Sequence, residues 1–421
     1  MTKTIELLPG VTLRCFPDTR FKQGALSFQI VRPMCQDEAA VNALIPTVLL
    51  RGSVKHSDLR AITLRLDELY GAAVGTTVRR VGDYQTTGLT CGFIEDKYAL
   101  PGEKVLEPML DFLRELLLEP VTEKGGFSRD FVESEKKNLI STIESELNDK
   151  RAYAMSRMLR TMCKADSYGI PRLGTCEDVA KIDPVRAYEH YRSILRTSRI
   201  DIFYVGSAPA ETVAQLVMPI FAEIDRDYIP LGPQTPFRDA GGEDRVETMD
   251  VSQGKLCLGY VTPITNRDPR FAAMQVMNTI FGAGMTSKLF MNVREKLSLC
   301  YSIGSGYYGS KGLVTVSAGI DFAKEQQTRD EIARQLDAIR NGDTTDEELT
   351  SAKEAILSGL RSTHDSPGAI EGYYATAALS GMDMTPAQYM DAIRAVTAEA
   401  VCEAAKELRL HTTYFLKGVN A

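Results

Sequence analysis

No CxxC pair joins any of the eight cysteines (Cys15, Cys35, Cys91, Cys163, Cys176, Cys257, Cys300 and Cys402), which lie scattered through 421 residues. That excludes a zinc clamp and a disulfide framework, and the thiols read as buried and reduced. No lysine- or arginine-rich tract occurs and the formal net charge is −7, which excludes a nucleic-acid affinity built on phosphate neutralisation. No run approaches the roughly 18 apolar residues of a membrane span. The opening stretch MTKTIELLPGVTLRCFPD has no apolar signal core and reads as the start of a folded strand pair, so cytoplasm is the expected location. Only four histidines are present, His56, His190, His364 and His411, with no HxxxH or HxxEH spacing. Each reads as a surface or half-buried side chain; His190 directly follows Glu189, and neighbours in sequence do not share a helix face. A GxSxG elbow, a Walker loop and a Rossmann fingerprint are all missing. The run Gly282-Ala283-Gly284 is too short to cradle a phosphate. No catalytic site of the chain's own is legible.

What is present is a soluble globular composition, 44% hydrophobic and 25% charged, in a chain long enough for two or more domains. Alternation marks strands at Val11–Cys15, Leu26–Val31 and Leu89–Ile94. Residues 58–70 put Leu59, Ile62, Leu66 and Leu69 on one helical stripe closed by Gly71. A long helical stretch is expected around 128–163, with Leu139, Ile143 and Leu147 on a shared face, and a strand at Ile200–Val205. Residues 225–244, with three prolines and three glycines, read as an interdomain linker. Beyond it the pattern returns: LSFQIVRPMCQD (26–37) lines up with LCLGYVTPITNRD (256–268), and VNALIPTVLLRG (41–52) with AAMQVMNTIFGAG (272–284). The chain therefore reads as a duplicated α+β unit, each half a mixed β-sheet packed with helices. The expected division is 1–225, a linker over 226–250, and 251–421.

The most specific text is FGAGMTSKLFMNVREKLSLCYSIGSGYY, residues 281–308. Taken alone, an arginine on a helix and a tyrosine opening a strand are a surface charge and a packing residue. The stretch resembles the C-terminal domain of the inverzincin (M16) zinc peptidases: pitrilysin, insulin-degrading enzymes and mitochondrial processing peptidases. There a glycine-rich turn leads into a helix ending in an arginine, with a tyrosine seven positions later; here those positions are Arg294 and Tyr301. SYGIPRLGTCEDVAKIDP (167–184) is similar to the family's loop and helix late in the first domain. The resemblance, which runs over nearly the whole chain, implies two homologous domains like those of the mitochondrial processing peptidases.

It also implies a zinc motif, HxxEH on a helix followed by a Lys/Arg-Gly-Thr/Ser ending, with a distant glutamate as third ligand. Anchoring that ending on Arg51, Gly52 and Ser53 puts Ala43 and Thr47 where the histidines would be and Pro46 where the catalytic glutamate would be. The distant glutamate falls near Thr142 to within a turn, with Glu144 the other candidate for it. Methyl and pyrrolidine groups do not ligate zinc, and a lone hydroxyl does so poorly. In the family the arginine and tyrosine hold substrate and donate to the oxyanion formed during water attack. In the smaller M16B branch, some bacterial pairs divide the labour between an HxxEH subunit and a subunit supplying that Arg/Tyr pair. The resemblance thus implies a non-catalytic, metal-free subunit of a heterodimer, with Zn2+ on an HxxEH partner of similar length and a peptide or unfolded segment as substrate. The alternative is an inert scaffold or peptide-binding homodimer. The chain is also similar to the inactive-homologue group labelled as associated with 5-aminopentanol modification of elongation factor P.

Overall fold

Leu26, Phe28 and Ile30 alternate with Ser27 and Gln29 along one strand, so one face of its sheet is greasy and the other polar. The strands of that sheet are β1 (Lys3–Leu8), β2 (Val11–Pro17), β3 (Gln23–Pro33), β4 (Ala73–Val81) and β5 (Tyr84–Ile94). A two-residue hairpin, β6 (Thr122–Glu123) with β7 (Gly126–Phe127), precedes the sixth sheet strand, β8 (Arg199–Gly206). The order is β1-β2-β8-β3-β5-β4, antiparallel except for the parallel β2/β8 pair. The structure, a computed structural model, describes residues 2–419.

The helices of the first half are α1 (Gln36–Leu49), α2 (Leu59–Glu68), α3 (Leu106–Leu118), α4 (Arg129–Ser145), α5 (Lys150–Met162), α6 (Cys176–Ala180), α7 (Pro184–Thr197) and α8 (Ala210–Val217). In α3, LEPMLDFLRELLL turns Met109, Leu110, Leu113, Leu116 and Leu117 inward. They share one core with Leu44 and Val48 of α1 and with Leu13, Phe28 and Leu89 of the sheet. Burying each such side chain contributes about 1.5–3 kcal/mol. Of the expected α2 stripe, Ile62 is buried and Leu66 packs against the core, whereas Leu59, in the first turn, is exposed.

The second sheet comprises β9 (Asp244–Met249), β10 (Gly254–Val261), β11 (Cys300–Tyr308), β12 (Leu313–Ile320) and β13 (Arg409–Gly418), in the order β11-β12-β10-β13-β9. Its pairs are antiparallel except for the parallel β13/β9 pair. This repeats β4-β5-β3-β8-β2 strand for strand and sense for sense. The helix α9 (Phe271–Phe281) follows β10 as α1 follows β3, so the duplicated α+β architecture read from the sequence is present. Tyr260 of β10 meets Phe281 of α9 edge-on at 6.4 Å. The remaining helices are α10 (Glu325–Arg340), α11 (Asp346–Ser362), α12 (Pro367–Ser380), α13 (Pro386–Ala395) and α14 (Ala398–Lys406).

The two packing units are not contiguous in sequence. One holds Met1–Glu144, Ile170–Pro233 and His364–Thr376; the other holds Ser145–Gly169, Gln234–Thr363 and Ala377–Ala421. The helical stretch expected over 128–163 is accordingly two helices. Asp149 accepts from the N–H groups of Arg151 and Ala152 and so starts a new helix, α5. Leu147 lies in the break and is exposed, off the face it was expected to share. α5 packs Ala154, Met158 and Met162 on Cys257, Leu313 and Tyr414. The contact requires Gly259, where a Cβ would come within 2.5 Å of the Met162 sulfur.

Residues 225–243 hold no regular element, but the last part of the expected linker, Asp244–Met249, is strand β9. Residues 235–238 are pinned within the second unit. Lys311 donates to the Thr235 carbonyl at 3.1 Å and pairs with Asp166, and Asp166 accepts from the Arg238 N–H at 2.9 Å. Among the described residues no helix is long and apolar enough to cross a membrane.

Candidate functional site

The zinc-motif positions lie on α1, which is apolar nearly all round. Ala43 is buried, as are Leu44, Ile45 and Pro46. Proline has no N–H to give to the carbonyl four residues back. The orphaned Asn42 carbonyl instead accepts the Thr87 hydroxyl of β5 at 2.6 Å. The Thr47 hydroxyl donates to the Leu44 carbonyl of its own helix at 2.8 Å. On α4, the Thr142 hydroxyl donates to the Asn138 carbonyl at 2.9 Å, and Glu144 is exposed. α4 does meet the Arg-Gly-Ser ending: Arg51 pairs with Glu135 at 3.5 Å and lies over the Phe131 ring.

These side chains do not fit zinc. Ala43 and Pro46 have no donor atom, and both threonine hydroxyls are bonded to their own helices. Among the described residues no group of three His, Cys, Asp or Glu side chains could hold a metal ion.

Three of the four histidines, His56, His190 and His411, have structural partners. His190 reaches Asn42 Oδ1 with Nε2 at 2.8 Å while Asn42 donates to Gln85, and burial holds its imidazole below the ordinary value. His411 is buried and bonded to Asp239 at 2.8 Å. His56, Ser53 and Glu115 have the composition of a catalytic triad but not its geometry. Ser53 donates to the Glu115 carboxylate, which also bonds His56 Nδ1 at 2.7 Å, and Ser53 is fully buried. A nucleophilic serine has to face the imidazole that would take its proton.

Arg294 and Tyr301 belong to the second unit and line the same open concavity, of about 340 Å³, with Glu295, Ser298, Leu299, Cys300, Asp321 and Lys324. The sequence builds it in steps. α9 ends at Gly282, where a Cβ would sit 2.8 Å from Leu289 and from Ser305. Ser287 then accepts the Phe290 N–H at 3.3 Å and opens a helical turn. The helix expected there is present, and residues Leu289–Lys296 wind as π-helix, a form frequent at functional sites. The Leu297 N–H reaches back to the Asn292 carbonyl at 3.1 Å. Ser298 closes the turn at φ +48°. In β11, Cys300 pairs with Ile320 and Ser302 with Gly319, leaving Tyr301 as the extra residue of a β-bulge.

The side chains that result are well placed to contact a ligand. The Arg294 guanidinium stacks over Phe290 at 4.6 Å, 3.4 Å from Glu295, with 39% of its side chain exposed. Tyr301 is 60% exposed, and its hydroxyl donates to Asp321 Oδ1 at 2.9 Å. That hydrogen bond raises the phenol above its ordinary value and lowers the Asp321 carboxyl, with Lys324 at 3.3 Å adding to the latter. Burial pushes the Cys300 thiol up to about 11 against the pull of Arg294 and Lys324, so it is no nucleophile at neutral pH. The concavity therefore offers a guanidinium fork and a phenol, suited to carbonyl or carboxylate oxygens.

Asp321 and Lys324 escaped the sequence reading, although Asp321 is legible in retrospect. It follows the strand that pairs antiparallel with Cys300–Tyr308 and so comes back beside Tyr301.

The profile described as "Peptidase M16 inactive domain" matches residues 181–356. A Bacillus subtilis (strain 168) protein named "Probable inactive metalloprotease YmfF" is 31% identical over 411 residues, 98% of this chain and 96% of that protein. The crystal structure of a conserved protein from Enterococcus faecalis V583 matches with a TM-score of 0.92 at 28% identity, covering 100% of this chain and 99% of the other. The peptidase M16 inactive domain from Pseudomonas fluorescens matches with a TM-score of 0.83 at 18% identity, covering 99% and 98%, and shares the fold.

Proposed function

This chain belongs to the peptidase M16 family as an inactive metalloprotease homologue, and from that premise we propose that it is the non-catalytic subunit of a cytoplasmic heterodimeric zinc peptidase. An HxxEH-bearing M16 subunit of similar length holds the zinc and carries out water attack. This chain contributes Arg294 and Tyr301 to a peptide or unfolded segment bound between the two subunits. The observation that carries the reading is the contrast between the zinc-motif positions and the Arg/Tyr pair. The zinc positions are filled by buried apolar groups and self-bonded hydroxyls, while Arg294 and Tyr301 share one open concavity. A phenol donor aimed at a developing oxyanion stabilises it by several kcal/mol where water is excluded. A guanidinium fork fixes the backbone carbonyl beside it. The resemblance to the group labelled for elongation factor P modification adds no residue to this site, and the heterodimer reading stands without it.

The experiment is to purify the tagged chain gently from its own cells, identify what accompanies it, and measure peptide turnover of the complex. Arg294→Ala and Tyr301→Phe each lower turnover by about 10²-fold, the scale for losing one oxyanion donor. Full turnover in both variants would refute the donor role. A second reading, an inert scaffold or peptide-binding homodimer, has one observation in its favour: the Tyr301 hydroxyl is already bonded to Asp321 and Arg294 is stacked on Phe290. A zinc-free homodimer that binds peptides without associated hydrolysis would select it.

A further inference from the structure

We infer that Asp321 is the positioning residue for Tyr301, and that with Lys324 it forms the joint setting that phenol's place relative to Arg294; the catalytic half of this inference rests on the function proposed above. Tyr301 is the unpaired residue of a bulge, so no cross-strand neighbour fixes its direction. Its hydrogen bond to Asp321 is the one its hydroxyl makes among the described residues. A side chain so exposed otherwise turns freely between rotamers, and an oxyanion donor has to be held near its working direction before the reaction.

Lys324 extends the hold. Its ammonium lies 3.3 Å from Asp321 and donates to the Ser298 carbonyl at 3.0 Å. Ser298 is the left-handed turn that closes the Arg294 helix. Asp321 is therefore tied to the strand bearing the tyrosine and, through Lys324, to the end of the helix bearing the arginine. The charged and titratable groups around Tyr301 are Arg294 and Glu295 from the helix, Cys300 on its own strand, and Asp321 and Lys324 from the segment after β12. Of these, Asp321 is the carboxylate bonded to the phenol.

The phenol has one proton to give. In the resting chain it is given to a carboxylate; with an oxyanion in the concavity it is given to a second anionic acceptor, and the Asp321 charge stays compensated by Lys324. Asp321 thus holds the phenol protonated and in place until an acceptor of comparable strength arrives. A neutral ground-state carbonyl competes poorly with a carboxylate for that proton, so the donation favours the transition state.

The test has two arms. In the isolated full chain labelled with 13Cζ-tyrosine, Tyr301→Phe assigns the Tyr301 signal. Its titration midpoint is expected above the ordinary value of about 10 and is expected to fall back towards it in Asp321→Asn. A midpoint that Asp321→Asn leaves unmoved overturns the hold. In the assembled peptidase, Asp321→Ala is expected to lower kcat by about tenfold with KM within about twofold, the pattern of lost orientation. In a Tyr301→Phe background it is expected to have no further effect. An equal loss in both backgrounds overturns the inference, because Asp321 would then act without Tyr301. Turnover insensitive to Tyr301→Phe would overturn the proposed function and the catalytic half of this inference together, while the titration, read without any partner, decides the hold on its own.

Discussion

Lys311 is a fully buried cation whose loss should cost this protein heavily. Its side chain is 0% exposed and that of Asp166 is 1% exposed, with Nζ at 3.0 Å from Oδ1 and 3.1 Å from Oδ2. Asp166 also accepts from the N–H groups of Tyr168 at 2.8 Å and Arg238 at 2.9 Å, and Lys311 donates to the Thr235 carbonyl at 3.1 Å. Lys311→Met keeps most of the stem in place and removes only the ammonium, leaving a buried carboxylate with two backbone donors and no counter-charge. Breaking a buried pair from one side costs about 3–5 kcal/mol. The two remaining N–H bonds put the expectation near the lower end, about 3 kcal/mol, which would still lower Tm by roughly 6–12 °C for a unit of ordinary size.

The assay is urea and thermal unfolding of the full chain, with hydrogen exchange over residues 234–238, where protection should fall first because that segment is held by the pair. The double variant Asp166→Asn, Lys311→Met carries no buried charge and should recover at least half of the loss. Replacing both partners of a buried pair is far gentler than removing one. A Lys311→Met protein within about 1 kcal/mol of the parent, the range of an exposed pair, would refute the reasoning.

Thr87→Val removes the hydroxyl that serves the Asn42 carbonyl and should cost about 1–3 kcal/mol for a buried acceptor left unmade. The cost should shrink in a Pro46→Ala background, where an N–H returns to the helix, and unfolding of the four proteins in that cycle measures the coupling. The acid limb of stability should depend on Asp239, whose carboxyl is held well below the usual range by hydrogen bonds from His411 and Arg409. A depressed folded value means its contribution is complete above the unfolded value, about 3.9, and is lost as pH falls towards the folded value. Asp239→Asn should therefore be less stable than the parent at neutral pH and approach it as pH drops below about 4, as urea midpoints across pH would show.

The strands around Val11, Leu26, Leu89 and Ile200 were legible because alternation is local, and the duplication was legible because it repeats such local signals in order. The break between α4 and α5 was misread because apolar periodicity runs through it, although Asn148-Asp149 carried a cap signal that was passed over. The pinning of residues 235–238 depends on Lys311 and Asp166, which lie far from the linker and from each other in sequence, so composition alone marks that stretch as a linker and shows nothing of what holds it. At the candidate site, the seven-residue spacing of Arg294 and Tyr301 was legible from resemblance. The π-helix and the bulge were not, because both are set by tertiary packing rather than by propensity.

The segments that carry the degenerate zinc motif and the Arg/Tyr pair also differ in how each bears its costs. On α1 every departure from a zinc helix is compensated: Ala43 and Pro46 are packed, the Thr47 hydroxyl is bonded, and the carbonyl orphaned by proline has Thr87. Between residues 285 and 301 polar groups are bonded, yet apolar surface and backbone strain remain exposed. Met285 is 77% exposed and Met291 49%, Tyr301 projects from a bulge, and Ser298 occupies a left-handed conformation that favours glycine. Strain of this kind, at a left-handed serine beside a bulged tyrosine, is a reason to test the surface for function. On the function proposed above, this is the surface that a substrate would meet, and turnover of the Arg294→Ala and Tyr301→Phe variants is what tests it.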